Sequence, residues 1–482
     1  MRVCAATVLG IAGVLAVLVA GPVRADPTAE QVRKVREAVS PSTVIVSFNI
    51  ERDDGEKMDA RLLGVVVGEG GLVMFSSAAI PSQFPITQFR DFRVVVTKGN
   101  DLQELDAEYL GKDDQSQVAF LKVTAAGAPA LPVLAFDEKA KVDIGDPVVS
   151  FDNLGEPDGY ARAMQLGRVA ARIEQPVVTY LCTGDLGLPG TPVLTLDGKV
   201  VGIVGFVRLN RGTNARPKFG VLKVIWPVER FIERVKNPPM GGKIVKHPWL
   251  GVQTLTPVTK DLAEYFKLGD RRGVVVGQII EKSPAAKAGL KAEDVILALN
   301  GKNITGTEGQ LVENFGNDIR QRKIDEEITL EVWRAGKTEQ VKVTLAQQPK
   351  GAAEADRYRE KKFGLTVREL VLEDCVSREL PSEETGVVVA FLDPAGWAQD
   401  AGLQPGDIIK KVQDKDTPTL EAFKKLFGDE VAKKPKEIVM FVLRGKKDTQ
   451  LVRIEPRWDA AEKPKTPETP AAPETPKAPE GK

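Results

Sequence analysis

The sequence has almost no histidine and little cysteine, and both shortages limit its chemistry. Its 482 residues include one histidine, His247, and three cysteines. A metal site built from His and Cys is therefore nearly excluded, and a mechanism that uses histidine as general base must use that one residue. At a candidate domain entrance, a lone histidine is expected to be a surface residue rather than a ligand or base. No cofactor and no metal are expected.

The chain also lacks an excess of charge of either sign. It carries 67 basic and 67 acidic residues, so its formal net charge is zero. Without a basic excess to neutralise phosphates, nucleic-acid binding is not expected. Hydrophobic residues make up 42% and charged residues 28% of the chain, which is typical of globular domains and excludes disorder throughout. At ~150 residues per domain, the length predicts about three domains.

The N-terminal segment predicts export. Residues 3–20 are apolar or glycine apart from Thr7, Gly21-Pro22 interrupts the run, and Val23-Arg24-Ala25 has the pattern of a signal-peptidase site. An uncleaved anchor is the alternative, because the run is nearly long enough to span a bilayer. No other stretch is long and apolar enough to do so. The protein is expected in the periplasm or cell envelope, with secretion as the alternative.

The region after this leader predicts a mainly β architecture. Short β runs separated by Gly, Asp and Pro turns recur over ~190 residues, which favours a β-barrel or paired barrels. A polar helix at Glu30–Ala38 precedes them, and a helix-compatible segment at Trp226–Val235 and a Pro/Gly linker at residues 237–242 follow. The β runs are predicted at Thr43–Ile50, Leu62–Val67, Leu72–Phe75, Phe92–Thr97, Val118–Val123, Gln165–Ile173, Val177–Leu181 and Val200–Val207.

A motif occurs twice in the C-terminal half. Ala288-Gly289-Leu290 recurs as Ala401-Gly402-Leu403, a spacing of 113 residues, and Asp294-Val295-Ile296 recurs as Asp407-Ile408-Ile409. Each copy is preceded by a β run and by a turn in which an apolar residue comes before a glycine. The glycine permits a turn after a short helix, and the paired β-branched residues start a buried strand.

This unit resembles the PDZ domain, in which backbone N–H groups of the apolar–Gly turn bind a partner's C-terminal carboxylate and the peptide adds as a strand to a sheet edge. The resemblance implies peptide-binding residues in the two turns and in the helix that follows each, with peptides that end in an apolar residue. These residues are Trp249, Leu250, Gly251, Val252, Phe315 and Ile319 in the first copy, and Phe363, Gly364, Leu365, Thr366, Val367, Leu420 and Phe423 in the second. The alternative is that they are only core residues and that one or both grooves are blind. Pro381–Thr385 and Gly396-Trp397 favour a modified second groove.

A β-rich region followed by two such units in an exported chain resembles the HtrA (Deg) family, over residues ~40 to 456. The resemblance implies a trypsin-like double β-barrel followed by two α+β PDZ domains. The implied boundaries are a signal peptide at 1–25, a degenerate protease domain at 26–236, a linker at 237–246, PDZ domains at 247–349 and 361–456, and a Pro-rich tail at 457–482. In this tail a proline recurs at every third residue, as in polyproline II, and a solvated spacer is expected.

The three family motifs that carry a Ser-His-Asp triad are each altered. Ala78 stands where the family has histidine, Gln117 where it has aspartate, and Pro189 where it has the nucleophilic serine. Ala78 cannot accept a proton and Gln117 cannot stabilise an imidazolium. Pro189 lacks both the hydroxyl and the backbone N–H that would form part of an oxyanion hole. The pattern predicts a pseudoprotease.

The sequence therefore predicts a chaperone-like, scaffold or regulatory factor that binds extended peptides or protein C-termini. Its assembly is left open between a homo-oligomer and a mixed assembly with an active HtrA-type protease. One alternative is a serine endopeptidase with substitute residues, for which Ser76 and Ser77 are the candidates beside the base position. Another is a surface-attached structural protein with the tail as spacer.

Cys182 and Cys375 are expected as free thiols, and Cys182 as a small buried residue rather than a nucleophile.

Overall fold

The computed structural model describes residues 29–53, 55–82, 84–98, 101–208 and 221–458. The predicted signal peptide and the tail beyond residue 458 lie outside these described residues. Within them, no helix is long and apolar enough to cross a membrane. The chain begins with helix α1, Ala29–Val39, which confirms the polar helix expected there and buries Val35 and Val39.

Six antiparallel strands close into a first barrel. They follow the order β5-β4-β1-β2-β3-β6, and pairing of β5 with β6 completes the closure. The strands are β1 Thr43–Glu51, β2 Lys57–Gly68, β3 Leu72–Ser76, β4 Phe89–Lys98, β5 Asp101–Asp113 and β6 Val118–Val123. Strand β5 was not expected, because its sequence is mostly acidic and polar residues that are rare in strands. Its inward face buries Leu105 and Tyr109.

A second barrel of six strands follows, in the order β10-β11-β12-β9-β8-β7. The strands are β7 Pro147–Asn153, β8 Arg162–Ile173, β9 Thr179–Thr183, β10 Pro192–Leu194, β11 Val200–Arg208 and β12 Val221–Pro227. The helix predicted from Trp226 was wrong at its start, because Trp226 lies on β12. Pro227 keeps the residue before it extended, and helix α2 covers only Ile232–Lys236.

The two barrels share a hydrophobic core. Val65 and Phe120 of the first barrel lie in one buried cluster with Val149 and Phe151 of the second, and Phe231 beside α2 belongs to the same cluster. This shared core holds the loops at the ends of β3, β5 and β9 in fixed relation to one another. The fold is thus the trypsin-like double β-barrel that the sequence resemblance implied.

The first C-terminal unit is a small sheet with a long helix. Strand β13, Lys243–Ile244, lies in the predicted linker and pairs in parallel with β5 of the first barrel. The unit's main sheet has the order β15-β16-β17-β19-β20, and β18 pairs with β17. Its elements are β14 Pro248–Trp249, β15 Leu255–Pro257, α3 Lys260–Tyr265, β16 Val274–Val276, α4 Pro284–Lys287, β17 Val295–Leu299, β18 Lys302–Asn303, α5 Leu311–Arg320, β19 Glu327–Arg334, β20 Lys337–Thr344 and β21 Ala346–Gln347.

The second C-terminal unit has the same strand order, β23-β24-β25-β27-β28 with β26 on β25, and one more strand, β22, on the outer edge of β23. Its elements are β22 Arg357–Glu360, β23 Leu365–Glu369, α6 Leu372–Ser377, β24 Val387–Leu392, α7 Trp397–Asp400, β25 Ile408–Val412, β26 Lys415–Asp416, α8 Leu420–Ala432, β27 Ile438–Arg444 and β28 Asp448–Ile454. Each unit has its own buried hydrophobic cluster.

The aspartate of the repeated motif is buried in both units and paired with an arginine. Arg334 donates two hydrogen bonds of 2.7 Å to Asp294, and Arg444 donates two of 2.8 and 2.7 Å to Asp407. Both arginines also donate to the carbonyl of the motif glycine. The pair therefore ties the turn after the short helix to the penultimate long strand, which explains why an aspartate stands at this position.

Substitution of Asp294 by alanine leaves the Arg334 guanidinium without its buried partner. We expect the free energy of unfolding of the first C-terminal unit to fall by about 3 kcal/mol, measured by hydrogen exchange of β17 and β19. Lys342→Ala removes an exposed ion pair with Glu327 on the same sheet and is the control, with an expected loss below about 0.5 kcal/mol. Equal losses in the two variants would contradict the role of the buried pair.

Candidate functional site

The three altered motif positions lie at the ends of strands on the two barrels. Ala78 sits in a 3-10 turn, Ser77–Ala79, directly after β3. Gln117 lies in the turn between β5 and β6 with a φ of 59°, in the left-handed region. Pro189 lies in the loop between β9 and β10 of the second barrel.

Two contacts show that these three turns meet. The N–H of Ser77 donates to the carbonyl of Gln117 at 3.2 Å. On the other side, Gly190 lies so close to Ser76 that a Cβ at this glycine would be 3.1 Å from the Ser76 nitrogen. The structure therefore brings the three turns together at the barrel junction.

Every backbone N–H group of the loop at residues 187–191 already donates a hydrogen bond within the protein. Pro189 has none, and the other four N–H groups donate within the protein. The acceptors are Asp185 Oδ1 for Gly187 at 3.0 Å, Asp152 Oδ2 for Leu188 at 3.0 Å, Val204 O for Gly190 at 2.8 Å and Leu188 O for Thr191 at 3.1 Å. In the trypsin-like architecture, an oxyanion hole is formed by the N–H groups of the nucleophile and of the residue two positions before it. Here those positions are Pro189 and Gly187.

The Gln117 side chain joins the two barrels. Its Oε1 accepts the Trp226 indole N–H at 2.8 Å and the Phe206 N–H at 3.2 Å, and its Nε2 donates to the Phe206 carbonyl at 3.1 Å. This pattern needs one donor and one acceptor on the same group, which an amide has and an ionised carboxylate lacks. The Arg230 guanidinium lies 3.5 Å over the Trp226 ring and extends the joint towards α2.

The Ser76 hydroxyl, near the base position, makes a local contact. Ser76 Oγ accepts the Ala78 N–H at 3.3 Å and caps the 3-10 turn. The buried Lys112 lies nearby, with its Nζ 2.8 Å from the Ile80 carbonyl, 3.0 Å from Ser82 Oγ and 2.9 Å from the Asp114 carboxylate. An amine nitrogen of lysine offers at most three N–H donors, and three acceptors surround this one, so the side chain is committed to contacts within the first barrel.

The expectation that His247 is a surface residue was wrong. Its side chain is only 15% exposed, and Nε2 lies 3.0 Å from Oδ1 of the buried Asp113 in the first barrel. Asp113 Oδ2 accepts from Ser116 Oγ at 3.0 Å and from Arg234 Nε of α2 at 2.7 Å. The histidine therefore reaches a carboxylate and not a hydroxyl, so it joins the first C-terminal unit to the barrel rather than activating a serine.

Asp113 is the electrostatic centre of this contact. Burial alone raises the pKa of its carboxyl, but hydrogen bonds and charge from His247 and Arg234 outweigh burial and hold that pKa well below its usual range. The carboxyl also accepts the N–H groups of Gln115 and Ser116, which shape the turn that leads to Gln117. Sequence motifs did not reveal this cluster, because His247 lies 134 residues from Asp113.

Within the described part of the chain, the two cysteines, Cys182 and Cys375, are both free, as expected. Cys182 is half-buried on β9, seven residues before Pro189, and packs against the hydrophobic cluster of the second barrel. Burial raises the pKa of its thiol to about 12, so it is protonated at neutral pH and is not an activated nucleophile.

The first apolar–Gly turn has unpaired backbone N–H groups. The carbonyls of Leu250 and Gly251 accept the N–H groups of Ala285 and Ile280 at 2.9 and 3.0 Å, while no described residue accepts from the N–H groups of Leu250, Gly251 or Val252. Gly251 has a φ of 85°, and a Cβ there would meet Ser283 Cβ at 2.1 Å. Among the strands described, β15 pairs with β16 alone, so its outer edge has no partner.

The predicted groove residues occupy the helices that were expected, but their side chains are buried. Phe315 and Ile319 lie on α5 and pack with Leu250 in one core cluster. Leu420 and Phe423 lie on α8 in the core of the second unit. Trp249 belongs to β14, which pairs with β21, and Leu365, Thr366 and Val367 belong to β23. Their part in ligand binding stays a prediction.

Comparison with known proteins identifies the family of this chain. A family model for the trypsin-like peptidase domain matches residues 63–203, and one for the PDZ domain matches residues 248–345. A Hahella chejuensis protein named "probable periplasmic serine endoprotease DegP-like" is 32% identical over 337 residues, which are 67% of this chain and 67% of the relative. The chain belongs to the HtrA family. A Bartonella henselae protein of the same printed name is 29% identical over 365 residues, 74% of this chain and 68% of the relative.

The HtrA fold is found in a solved structure as well. An HtrA-type protease, an AlgW variant solved with a decapeptide, has a TM-score of 0.51 at 18% identity, covering 66% of this chain and 98% of its own. The HtrA relatives are named as periplasmic serine endoproteases, so the family is one of serine endopeptidases. Their compartment agrees with the export predicted from the N-terminal segment of this chain. The chain is an exported protein of the periplasm.

Substitution of Asp113 by asparagine removes the charge that His247 and Arg234 face. We expect a loss of about 3 kcal/mol in the free energy of unfolding at neutral pH, measured by urea denaturation. The folded-state pKa is depressed, so the stabilisation is complete above the ordinary value of 3.8 and is lost as the pH falls below it. The difference between wild type and variant should therefore shrink below about pH 4.

Asp106→Asn is the matched control, because this aspartate lies on the same strand with 82% of its side chain exposed. We expect it to change stability by less than about 0.5 kcal/mol at any pH. A difference between Asp113→Asn and wild type that stays constant down to acid pH would show that the charge of Asp113 is not what holds the cluster.

Proposed function

We propose that this HtrA-family chain is an exported pseudoprotease that binds extended peptides or protein C-termini and acts as a chaperone-like, scaffold or regulatory factor. In this proposal residues 26–236 are a degenerate protease domain, and residues 247–349 and 361–456 are two PDZ domains. The shared strand order of the two C-terminal units supports the assignment of the second one.

The backbone of the loop at residues 187–191 carries the proposal. An acyl-transfer site stabilises a developing oxyanion with N–H groups that are free to receive it. Here Pro189 offers none and the Gly187 N–H is taken by Asp185, whose carboxylate also binds Lys223 at 2.7 Å. Loss of a single such donor reduces kcat by about a hundredfold or more. This loss is independent of the missing nucleophile and base.

The other triad positions support the same conclusion. Both polar atoms of the Gln117 amide make contacts between the barrels, and Ala78 has no proton acceptor. The single histidine is bound to Asp113. The Ser-Lys pair that a serine endopeptidase with substitute residues would need is not favoured either, because the Lys112 amine is already bound to Ile80, Ser82 and Asp114.

The first apolar–Gly turn supports peptide binding. PDZ domains bind a terminal carboxylate with consecutive backbone N–H groups and the following residues with an open strand edge. The N–H groups of residues 250–252 and the outer edge of β15 provide both. The solved relative named above was determined with a decapeptide, which is consistent with this role.

A casein-cleavage assay tests the loss of activity. We expect the chain purified from residue 26 onwards to release no more peptide than buffer does, while an active HtrA-type protease run beside it cleaves the substrate. A fluorophosphonate that labels activated serines should leave the protein unlabelled. Cleavage that disappears in Ser76→Ala or Ser77→Ala would overturn the proposal in favour of an enzyme with substitute residues.

Fluorescence anisotropy with C-terminal peptides that end in an apolar residue tests binding. We expect affinity to be lost when the peptide carboxylate is amidated, and Gly251→Ala to raise Kd by about tenfold or more because its Cβ cannot fit beside Ser283. Gly289→Ala is the control, since this glycine has a φ of 78° but nothing within 4 Å of its Cβ position. Affinity that is indifferent to amidation would contradict carboxylate recognition by the first turn.

A further inference from the structure

The second C-terminal unit differs from the first at the edge where a PDZ ligand adds. In the first unit β15 pairs with β16 alone, but in the second β23 pairs with β24 on one side and with β22 on the other. Strand β22 runs antiparallel to β23, with Arg357 opposite Arg368 and Glu360 opposite Leu365. A peptide bound by strand addition would occupy the same edge.

The side chains of β22 contact the helix that borders this edge. The Tyr358 ring meets the Phe423 ring of α8 edge-on with 6.2 Å between centroids, and it packs against the buried core of the unit. Its hydroxyl donates to Glu360 at 3.0 Å, and Arg359 donates to both carboxylate oxygens of Asp393 at 3.0 Å. The segment therefore lies between β23 and α8, and an aromatic side chain faces the helix.

In this unit, the segment that precedes the apolar–Gly turn occupies the place where a terminal carboxylate would bind. The chain passes straight from β22 into the turn, and the Gly364 N–H donates to the Lys361 carbonyl at 3.1 Å. Phe363 is fully buried, with its ring against those of Trp397, Phe427 and Trp458. In the first unit the corresponding N–H groups have no acceptor among the described residues.

The same segment also contacts the first barrel. Arg357 Nη1 lies 3.0 Å from Asp53 Oδ2, and each of these side chains is 18% exposed. The other oxygen of Asp53 accepts from Gln88 Nε2 at 2.9 Å, so the carboxylate is fixed on the barrel side. Displacement of β22 would break this contact as well as the strand pairing.

We propose that residues 357–360 are an internal ligand of the second PDZ unit, and that Arg357 ties the occupied groove to the first barrel. The groove is then selective for an extended segment inside a chain, with a tyrosine flanked by arginines, and not for a C-terminus. This inference rests on the proposed assignment of the second unit as a PDZ domain, but not on peptide binding by the first unit or on the loss of protease activity.

A competition experiment tests the internal ligand. The probe is a fluorescent peptide of residues 355–361, Ala-Asp-Arg-Tyr-Arg-Glu-Lys, with an acetylated N-terminus and an amidated C-terminus. We expect the double variant Arg357→Ala with Tyr358→Ser, in the full chain, to bind it about tenfold or more tightly than wild type does, because the variant's own β22 is weakened. The same peptide with alanine for tyrosine should not bind.

Arg453→Ala is the matched control, because this arginine lies on β28 of the same unit in an exposed pair with Glu437. It should bind the probe no better than wild type. Equal binding by wild type and double variant would mean that the groove is open. Failure of a folded double variant to bind would mean that β22 is only a strand of the fold. Either result overturns the proposal.

A second variant leaves the PDZ unit untouched and removes the contact with the barrel. In Asp53→Ala, Arg357 loses its partner, and we expect hydrogen exchange of residues 357–360 and 365–369 to become several-fold faster, while β24 and β25 keep their protection. Unchanged exchange in these segments would refute the tie to the barrel. The probe peptide has no free terminal carboxylate, so failure here is distinct from failure of C-terminal recognition by the first unit.

Discussion

The buried carboxylate of Asp113 is the contact on which the arrangement of barrel, linker and first PDZ unit depends. It accepts from Arg234 at the end of the second barrel, from His247 at the entrance to the PDZ unit, and from the turn that leads to Gln117. Each partner comes from a different part of the chain, so the one carboxylate fixes their relative positions. A buried ionised group needs such partners, because an unpaired carboxylate in this place would be strongly destabilising.

The need of buried polar groups for partners also explains the hydrogen bonds at the barrel junction. An active centre keeps polar groups free for a substrate, whereas a structural joint satisfies them within the protein. The Gln117 amide holds β11 and the Trp226 indole, and the loop at residues 187–191 uses every N–H group it has. The polar groups at this junction thus contribute to the union of the two barrels. This is the physical basis on which we propose a pseudoprotease whose double barrel serves as a rigid body.

The fold could be predicted because its signals are local, and so are the motifs from which the altered positions are assigned. Runs such as Val118–Val123 contain β-branched and aromatic residues throughout, and Ala78 and Pro189 lie in motifs at strand ends. The contacts of His247 and of the motif aspartates could not be predicted, since their partners are chosen by the packing of distant segments. The polar strand β5 was missed for a related reason: closure of the barrel, not its own propensity, makes it a strand.

The two C-terminal units show how little of a binding site is determined by its motif. Both carry the same Ala-Gly-Leu turn and the same buried aspartate–arginine pair. They differ in what the preceding segment does: Lys243–Ile244 adds to β5 of the barrel, whereas Arg357–Glu360 folds back on β23. A strand edge with unpaired backbone groups attracts any extended chain, so a protein must either cover it or use it. Among the described strands, the segment before the first unit pairs with the barrel and the edge of β15 has no partner, whereas the segment before the second unit folds back and covers the edge of β23.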